Sequence, residues 1–168
     1  NLDGAGGDDV EAGGVNVAGW TTGAYNDITI QQNSAGSAYT LSSSTGATFG
    51  VAEDYITLDG FKLTVSGTFD TLTTGVGTFT AADNNLIIKN MTLVGTANSS
   101  SAKYDLMLSR ANLIVDLFNC VMYSGVRGTD TRSAATANIS FCTWYKSQDQ
   151  LGLICDTEAT VKNVYCGR

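Results

Sequence analysis

The stretch Ile56-Thr-Leu-Asp-Gly-Phe-Lys-Leu63 decides the fold, because the chain repeats its pattern further along without gaps. Four later stretches align with it (86–93, 115–122, 137–144 and 159–166), and a fainter copy begins at Ile28-Thr-Ile30. The third position of each copy serves as an anchor, and successive anchors are 28, 30, 29, 22 and 22 residues apart. The anchors are Ile30, Leu58, Ile88, Leu117, Ile139 and Val161. A period interrupted by insertions of variable length is typical of a solenoid.

Each copy carries two apolar positions that are separated by one residue, and equivalent positions of all copies form a column. The second column is that of the anchors. The first column lies two residues before it and contains Ile56, Leu86, Val115, Ala137 and Ala159. Spacing by two places both columns on one face of a β-strand, while the mostly polar residues between and after them suit the opposite face. The copies therefore predict strands with one buried face.

A column of glycine and asparagine follows each predicted strand, at Gly60, Asn90, Asn119 and Asn163. These residue types tolerate left-handed backbone angles, so the column predicts a sharp bend. Phe141 interrupts the column, and a different local turn is expected there. After the bend the apolar alternation resumes, which predicts strand, one-residue bend and strand in every unit. Units of this length are too short for a helical crossover and fit one coil of a parallel β-solenoid.

The coil with its asparagine bends resembles the right-handed parallel β-helix of the pectate-lyase-like superfamily. Tyr25-Asn-Asp-Ile-Thr-Ile30 and Glu53-Asp-Tyr-Ile-Thr-Leu-Asp-Gly-Phe61 are similar to the opening coils of many secreted and phage-encoded β-helix proteins. The resemblance implies an all-β, right-handed parallel β-helix of about six coils over residues 25–168. Residues 1–24 then form a Gly/Asp-rich N-terminal lead-in or cap. This fold hosts lyases, hydrolases, adhesins and structural parts, so it does not fix a function.

The composition excludes several functions for the 168-residue chain. Its sequence contains no histidine, which excludes nucleophile pairs and zinc sites that depend on an imidazole. Nine basic against sixteen acidic residues give a net charge of −7, which repels nucleic acid and anionic membrane surfaces. The apolar runs are too short to span a membrane. Neither nucleic acid nor membrane is therefore expected as a partner.

An acidic column just before the first strand of the coils is the candidate metal site, with Glu53, Asp83 and Asp156 as its carboxylates. The superfamily enzymes that cleave polyuronates use clustered carboxylates, often with Ca²⁺, and an Arg or Lys that takes a proton. The resemblance therefore implies a lyase alternative in which Lys89 or Arg110 assists. The competing interpretation is that these residues only cap turns. Calcium is the one cofactor that this pattern admits, and otherwise none is expected.

Tyr104, Tyr123 and Tyr145 are the candidate glycan-binding residues, because aromatic faces stack on sugar rings. Tyr123 and Tyr145 share an outward column in adjacent coils, where an aromatic ladder also stabilises a sheet without a ligand. Trp144 belongs to an inward column and is expected in the core.

Cys120 and Cys142 share an inward column, which places their Cα atoms about 4.8 Å apart. That distance permits a disulfide, but parallel stacking rarely aims both sulfurs well, so buried thiols are the favoured state. The pattern does not decide whether Cys155 lies near Cys166.

The expected function is that of a non-enzymatic structural protein of an extracellular or virion surface assembly, such as a phage capsid decoration or tail-spike-like component. This expectation depends on the missing catalytic set, Thr/Ser/Gly/Asn-rich loops, a start at Asn1 that suggests processing or truncation, and a last coil without a cap. The expected partners are other subunits, in a homo-oligomer or as capsid or filament proteins, and surface glycans. The alternatives are a secreted polysaccharide lyase or hydrolase and a glycan-binding adhesin on the same fold.

Overall fold

The computed structural model describes residues 8–10, 15–32, 40–43, 49–51, 53–65, 72–73, 84–95, 104–107, 113–124, 127–130, 136–146, 153–154 and 158–167. Within these ranges every regular element is a β-strand, and the strands form three sheets. An all-β fold is what the alternating apolar columns predict.

The three sheets take their strands from the chain in strict rotation. Sheet I contains β3 (Ile28–Gln31), β6 (Ile56–Asp59), β9 (Asn84–Lys89), β12 (Leu113–Phe118), β15 (Thr136–Ser140) and β18 (Glu158–Lys162). Sheet II contains β1 (Asp8–Val10), β4 (Thr40–Ser43), β7 (Lys62–Val65), β10 (Thr92–Gly95), β13 (Val121–Ser124), β16 (Thr143–Lys146) and β19 (Tyr165–Gly167). Sheet III contains β2 (Val15–Val17), β5 (Phe49–Val51), β8 (Leu72–Thr73), β11 (Tyr104–Met107), β14 (Arg127–Asp130) and β17 (Leu153–Ile154).

Each inner strand of a sheet pairs in parallel with the third strand before it and the third strand after it, and each outermost strand pairs with one of these. A chain that returns to the same sheet after three strands winds around one axis, and the fold is consistent with a β-solenoid. The strands β1 and β2 pair with β4 and β5, so residues 8–10 and 15–17 belong to sheets II and III. The division of the chain at residue 25 into a lead-in and a β-helix stays a prediction.

The strands of sheet I pair in the register that the gapless alignment of the sequence repeats predicts. Its paired anchors are Ile30, Leu58, Ile88, Leu117, Ile139 and Val161. The first apolar column is paired in the same way, from Ile56 and Leu86 through to Ala159. A shift by one residue would turn the buried column toward water, so burial of one face fixes the register.

The core is built from these columns and from the inward residues of the strands that follow the bends. Leu58, Ile88 and Leu117 are at most 1% exposed, and Trp144 lies in the core as the sequence predicts. The anchor column is more exposed to solvent on β18, the last strand of sheet I, where the anchor Val161 is 43% exposed.

The bends between sheets I and II have left-handed backbone angles. The φ angle is +82° at Gly60, +56° at Asn90, +50° at Asn119 and +51° at Asn163. Phe141 has a φ of +54°, so the expectation of a different turn at this residue is wrong. The coil geometry imposes the bend on whichever residue occupies the position, and here it overrides the poor tolerance of an aromatic residue for this conformation.

The backbone hydrogen bonds continue through the bends. The amide of Asn119 donates to the Ser140 carbonyl at 3.1 Å, and the amide of Phe141 donates to the Lys162 carbonyl at 3.2 Å. The ladder between coils is therefore unbroken from sheet I into sheet II, which holds the bend and its outward side chains in a fixed position.

Candidate functional site

The most distinctive outward feature is a tyrosine ladder, formed by Tyr123, Tyr145 and Tyr165 on sheet II. Tyr123 and Tyr145 stand opposite one another in β13 and β16, with ring centroids 6.3 Å apart. The Tyr165 ring lies 6.1 Å from that of Tyr145 in an edge-on arrangement. All three side chains are exposed, between 43% and 58%. The ladder thus combines inter-ring contacts, which stabilise the sheet, with aromatic surface that remains open to a partner.

Tyr165 enters the ladder from a neighbouring column. Its backbone stands opposite Thr143, whereas Gly167 stands opposite Tyr145. A Cβ atom at Gly167 would lie 2.9 Å from Cε1 of Tyr165 and 3.2 Å from the Tyr145 ring. The absence of a side chain at Gly167 therefore leaves the space into which the Tyr165 ring leans. The column pattern missed this third ring, but a glycine opposite an exposed tyrosine is a signal that could have indicated it.

A second aromatic pair lies at the bend between sheets I and II. The rings of Phe118 and Phe141 are 5.5 Å apart in an edge-to-face arrangement, and both side chains are about half exposed. Phe118 ends β12 and Phe141 occupies the bend of the following coil, so the pair bridges two coils. The repeat does not indicate this pair, because the two phenylalanines stand in different columns and Phe141 interrupts the column of bends.

The outward surface changes its chemistry along the stack. The positions in register with Tyr123 carry Val94 on β10 and Thr64 on β7. The positions in register with Phe118 carry Asp59 and Lys89 on earlier strands and Ser140 and Lys162 on later strands. The aromatic residues thus stand in outward columns whose other members are polar or aliphatic. The tyrosine ladder and the phenylalanine pair together form what we call the aromatic surface, defined by Phe118, Tyr123, Phe141, Tyr145 and Tyr165.

An amide ladder joins the earlier bends. Nδ2 of Asn90 donates to Oδ1 of Asp59 at 2.7 Å, and Nδ2 of Asn119 donates to Oδ1 of Asn90 at 2.9 Å. Nζ of Lys89 lies 3.3 Å from Oδ2 of Asp59. Both oxygens of Asp59 are therefore engaged by neighbours in the next coil, and the cluster is explained as a support for the bends. The next position in the ladder is Phe141, which cannot continue it.

Of the candidate metal ligands, only Glu53 lies in the described part of the chain. Its Oε1 accepts a hydrogen bond from the backbone amide of Trp20 at 2.9 Å. Asp83, Asp156 and the assisting Arg110 lie outside the described residues. The described residues contain no group of three Cys, Asp or Glu side chains placed to hold a metal ion. The acidic column stays a prediction.

The candidate glycan-binding residues divide between two sheets. Tyr123 and Tyr145 belong to the tyrosine ladder on sheet II, whereas Tyr104 begins β11 on sheet III, where its backbone pairs with Arg127. The structure brings the first two together and places Tyr104 on a different sheet.

Cys120 and Cys142 carry free, buried thiols in successive coils, each directly after a bend. Both donate to the carbonyl two residues earlier at 3.3 Å, Phe118 for Cys120 and Ser140 for Cys142. The neighbouring Cys142 thiol, together with burial, raises the pKa of the Cys120 thiol well above its ordinary value. Cys120 is therefore a neutral thiol in the folded protein. Cys166 is free and exposed, and Cys155 lies outside the described residues.

Comparison with protein-family models, with curated proteins and with solved structures gives no match to this chain. Among the described residues no helix is long and apolar enough to cross a membrane.

Proposed function

We propose that the chain is a non-enzymatic structural protein, a right-handed parallel β-helix of about six coils that serves as a rigid part of an extracellular or virion surface assembly. In this proposal it resembles phage-encoded and secreted members of the pectate-lyase-like superfamily. Its partners are other protein subunits, either further copies of the chain or capsid or filament proteins.

The aromatic surface is the observation that carries the proposal. Five aromatic side chains are between 43% and 58% exposed on adjacent strands and bends. Aromatic residues are enriched at the contact surfaces of protein assemblies, because one ring buries a large area at a small cost in conformational entropy. The same columns carry Lys89, Asp59 and Thr64 on earlier strands, so the fold does not require aromatic residues at these positions.

The rigid stack supports the same proposal. From β6 to β16 the inward residues of sheets I and II are buried wherever their side chains are described, and the parallel ladders of three sheets continue across the coils. A solenoid of this kind holds its outward side chains at fixed spacing, which suits a spacer or clamp between subunits.

The test begins with the native material. Light scattering followed by electron microscopy of the protein from its source measures whether it belongs to a particle, a filament or a regular array. Incorporation into such an assembly supports the proposal, and a free monomer contradicts it.

A substitution series then assigns the contact. Tyr145→Ser removes the central ring of the tyrosine ladder, and Val94→Ser is the matched control at a position of the same outward column in an earlier coil. We expect Tyr145→Ser to reduce incorporation into the assembly by about tenfold or more, as for a central interface aromatic, and Val94→Ser to leave it unchanged. Equal incorporation of both variants would show that the tyrosine ladder is not the contact.

Glycan binding is the second candidate, and the exposed tyrosine ladder favours it because tyrosine faces stack on sugars. Retention of the protein on a surface polysaccharide without release of products would select this adhesin function, and Tyr145→Ser would abolish the retention. Calcium-dependent release of unsaturated uronides would instead select the lyase alternative, with Glu53, Asp83 and Asp156 as the metal site.

A further inference from the structure

The buried cysteine pair has a geometry that the proposed assembly function does not use. Cys120 and Cys142 are 0% and 1% exposed, and they are adjacent rungs of one inward column. The backbone amide of Thr143 donates to the Cys120 carbonyl at 2.9 Å, which fixes the two coils in register at this point. Register neighbours in parallel strands are about 4.8 Å apart.

The two thiols have equivalent orientations. Each donates to the carbonyl two residues earlier in its own coil, and each also approaches a carbonyl of the preceding coil. Those second contacts are 3.5 Å from Cys120 to Ile88 and 3.7 Å from Cys142 to Leu117. Side chains with the same orientation in successive coils stack in parallel, so the spacing of the sulfurs follows the spacing of the coils.

This arrangement suits a bridging cation better than a disulfide. A disulfide requires a Cβ–S–S–Cβ dihedral of about 90°, whereas two side chains with the same orientation hold their Cβ–Sγ bonds parallel. Two collinear metal–thiolate bonds, taken at the roughly 2.3 Å of a zinc–thiolate bond, hold the sulfurs about 4.6 Å apart. Soft thiolate ligands select soft cations.

We propose that Cys120 and Cys142 form a two-coordinate site for a thiophilic d¹⁰ cation, for which Hg(II) is the probe. Two thiol protons leave as two metal–sulfur bonds form, without electron transfer. A divalent ion with two thiolates gives a neutral complex, and neutrality suits a pair surrounded by Leu117, Met122 and other core residues. Each thiol directly follows a surface bend, which gives the cation a short route inward.

The experiment uses the full chain with Cys155→Ser and Cys166→Ser, so that only the pair remains. After Hg(II) loading, excess small monothiol is added and native mass spectrometry counts the retained metal. We expect one Hg(II) per chain with the loss of two protons, and X-ray absorption showing two sulfur ligands.

Cys120→Val and Cys142→Val in the same background are the matched variants, since Val164 already occupies this column in the next coil and packs against the core. Loss of one thiolate removes an intramolecular ligand, so retention against the monothiol should weaken on the order of 100-fold. Circular dichroism establishes that the variants are folded. Unchanged retention by either folded variant would overturn the proposal. So would a mass 2 Da below the dithiol in the metal-free protein, because it would show a disulfide.

Discussion

The bend at Phe141 offers a sharp test of how the fold is held together, because the structure predicts that replacing an aromatic residue with a polar one stabilises the protein. Phe141 has a φ of +54°, a conformation that asparagine adopts at the equivalent bends. Phe141→Asn relieves this strain, which is worth about 1 kcal/mol for a residue other than glycine or asparagine.

The substitution also extends the amide ladder. Asn119 already donates to Asn90, and Asn163 occupies the bend after Phe141. A new amide between them gains two exposed hydrogen bonds, to Asn119 and from Asn163, together about 1 kcal/mol. The substitution also removes the edge-to-face contact between the rings of Phe141 and Phe118, whose centroids are 5.5 Å apart, and this loss costs about 1 kcal/mol of stability. The net expectation is a stabilisation of about 1 kcal/mol, or a rise in Tm of about 2–4 °C.

Urea denaturation followed by circular dichroism measures the free energy of unfolding of the wild type, Phe141→Asn and Phe141→Gly. Phe141→Gly relieves the strain without adding an amide, so the difference between the two variants isolates the ladder. Phe118→Ala, alone and combined with Phe141→Asn, isolates the ring contact. A loss of more than about 1 kcal/mol in Phe141→Asn would refute the reasoning, because the ring contact would then outweigh both the strain and the amides.

Three further predictions concern the core, the tyrosine ladder and the buried thiols. Leu117→Ala should lower the free energy of unfolding by about 2–5 kcal/mol because Leu117 is 1% exposed. Phe118 is half exposed, so Phe118→Ala should lower it by only about 1 kcal/mol, and urea denaturation measures both values. Gly167→Ala should push the Tyr165 ring out of the ladder, costing about 0.5–1 kcal/mol and weakening the near-ultraviolet dichroism of tyrosine. The folded pKa of Cys120 is raised, so its contribution to stability is complete below the unfolded thiol pKa of about 8.5 and falls as pH rises above it. Between pH 8 and 10 the wild type should therefore lose more of its free energy of unfolding than Cys120→Val does, and equal losses would contradict this assignment.

The coil and its register were predictable because both depend on side-chain properties that recur at fixed positions. Leu58 and Ile88 align in the sequence and pair in the sheet, since a slip of one residue would expose the whole apolar face. The bends were predictable at Gly60 and Asn90 for a related reason, because few residue types tolerate their backbone angles.

The outward contacts were only partly predictable, because a column fixes where a Cβ atom lies but not where a long side chain reaches. Tyr123 and Tyr145 stand in one column, and the sequence indicated their ladder. Tyr165 stands in the neighbouring column and reaches the ladder by leaning over Gly167, which alignment of columns does not reveal. Tyr55 has a φ of +51° at a position where nothing in its residue type indicates a bend.

The repeat itself supplies a way to separate what folding requires from what it leaves open. Every column is an internal comparison, in which the same position of the coil is filled several times within one chain. Inward columns keep their apolar character from Ile56 to Ala137, because every occupant must exclude water. The outward column of Phe118 holds, in order, a carboxylate, an ammonium group, the aromatic ring, a hydroxyl and a second ammonium group, although the backbone ladder is the same at each step. Folding does not account for that change, so the aromatic surface is where an experiment on function should begin.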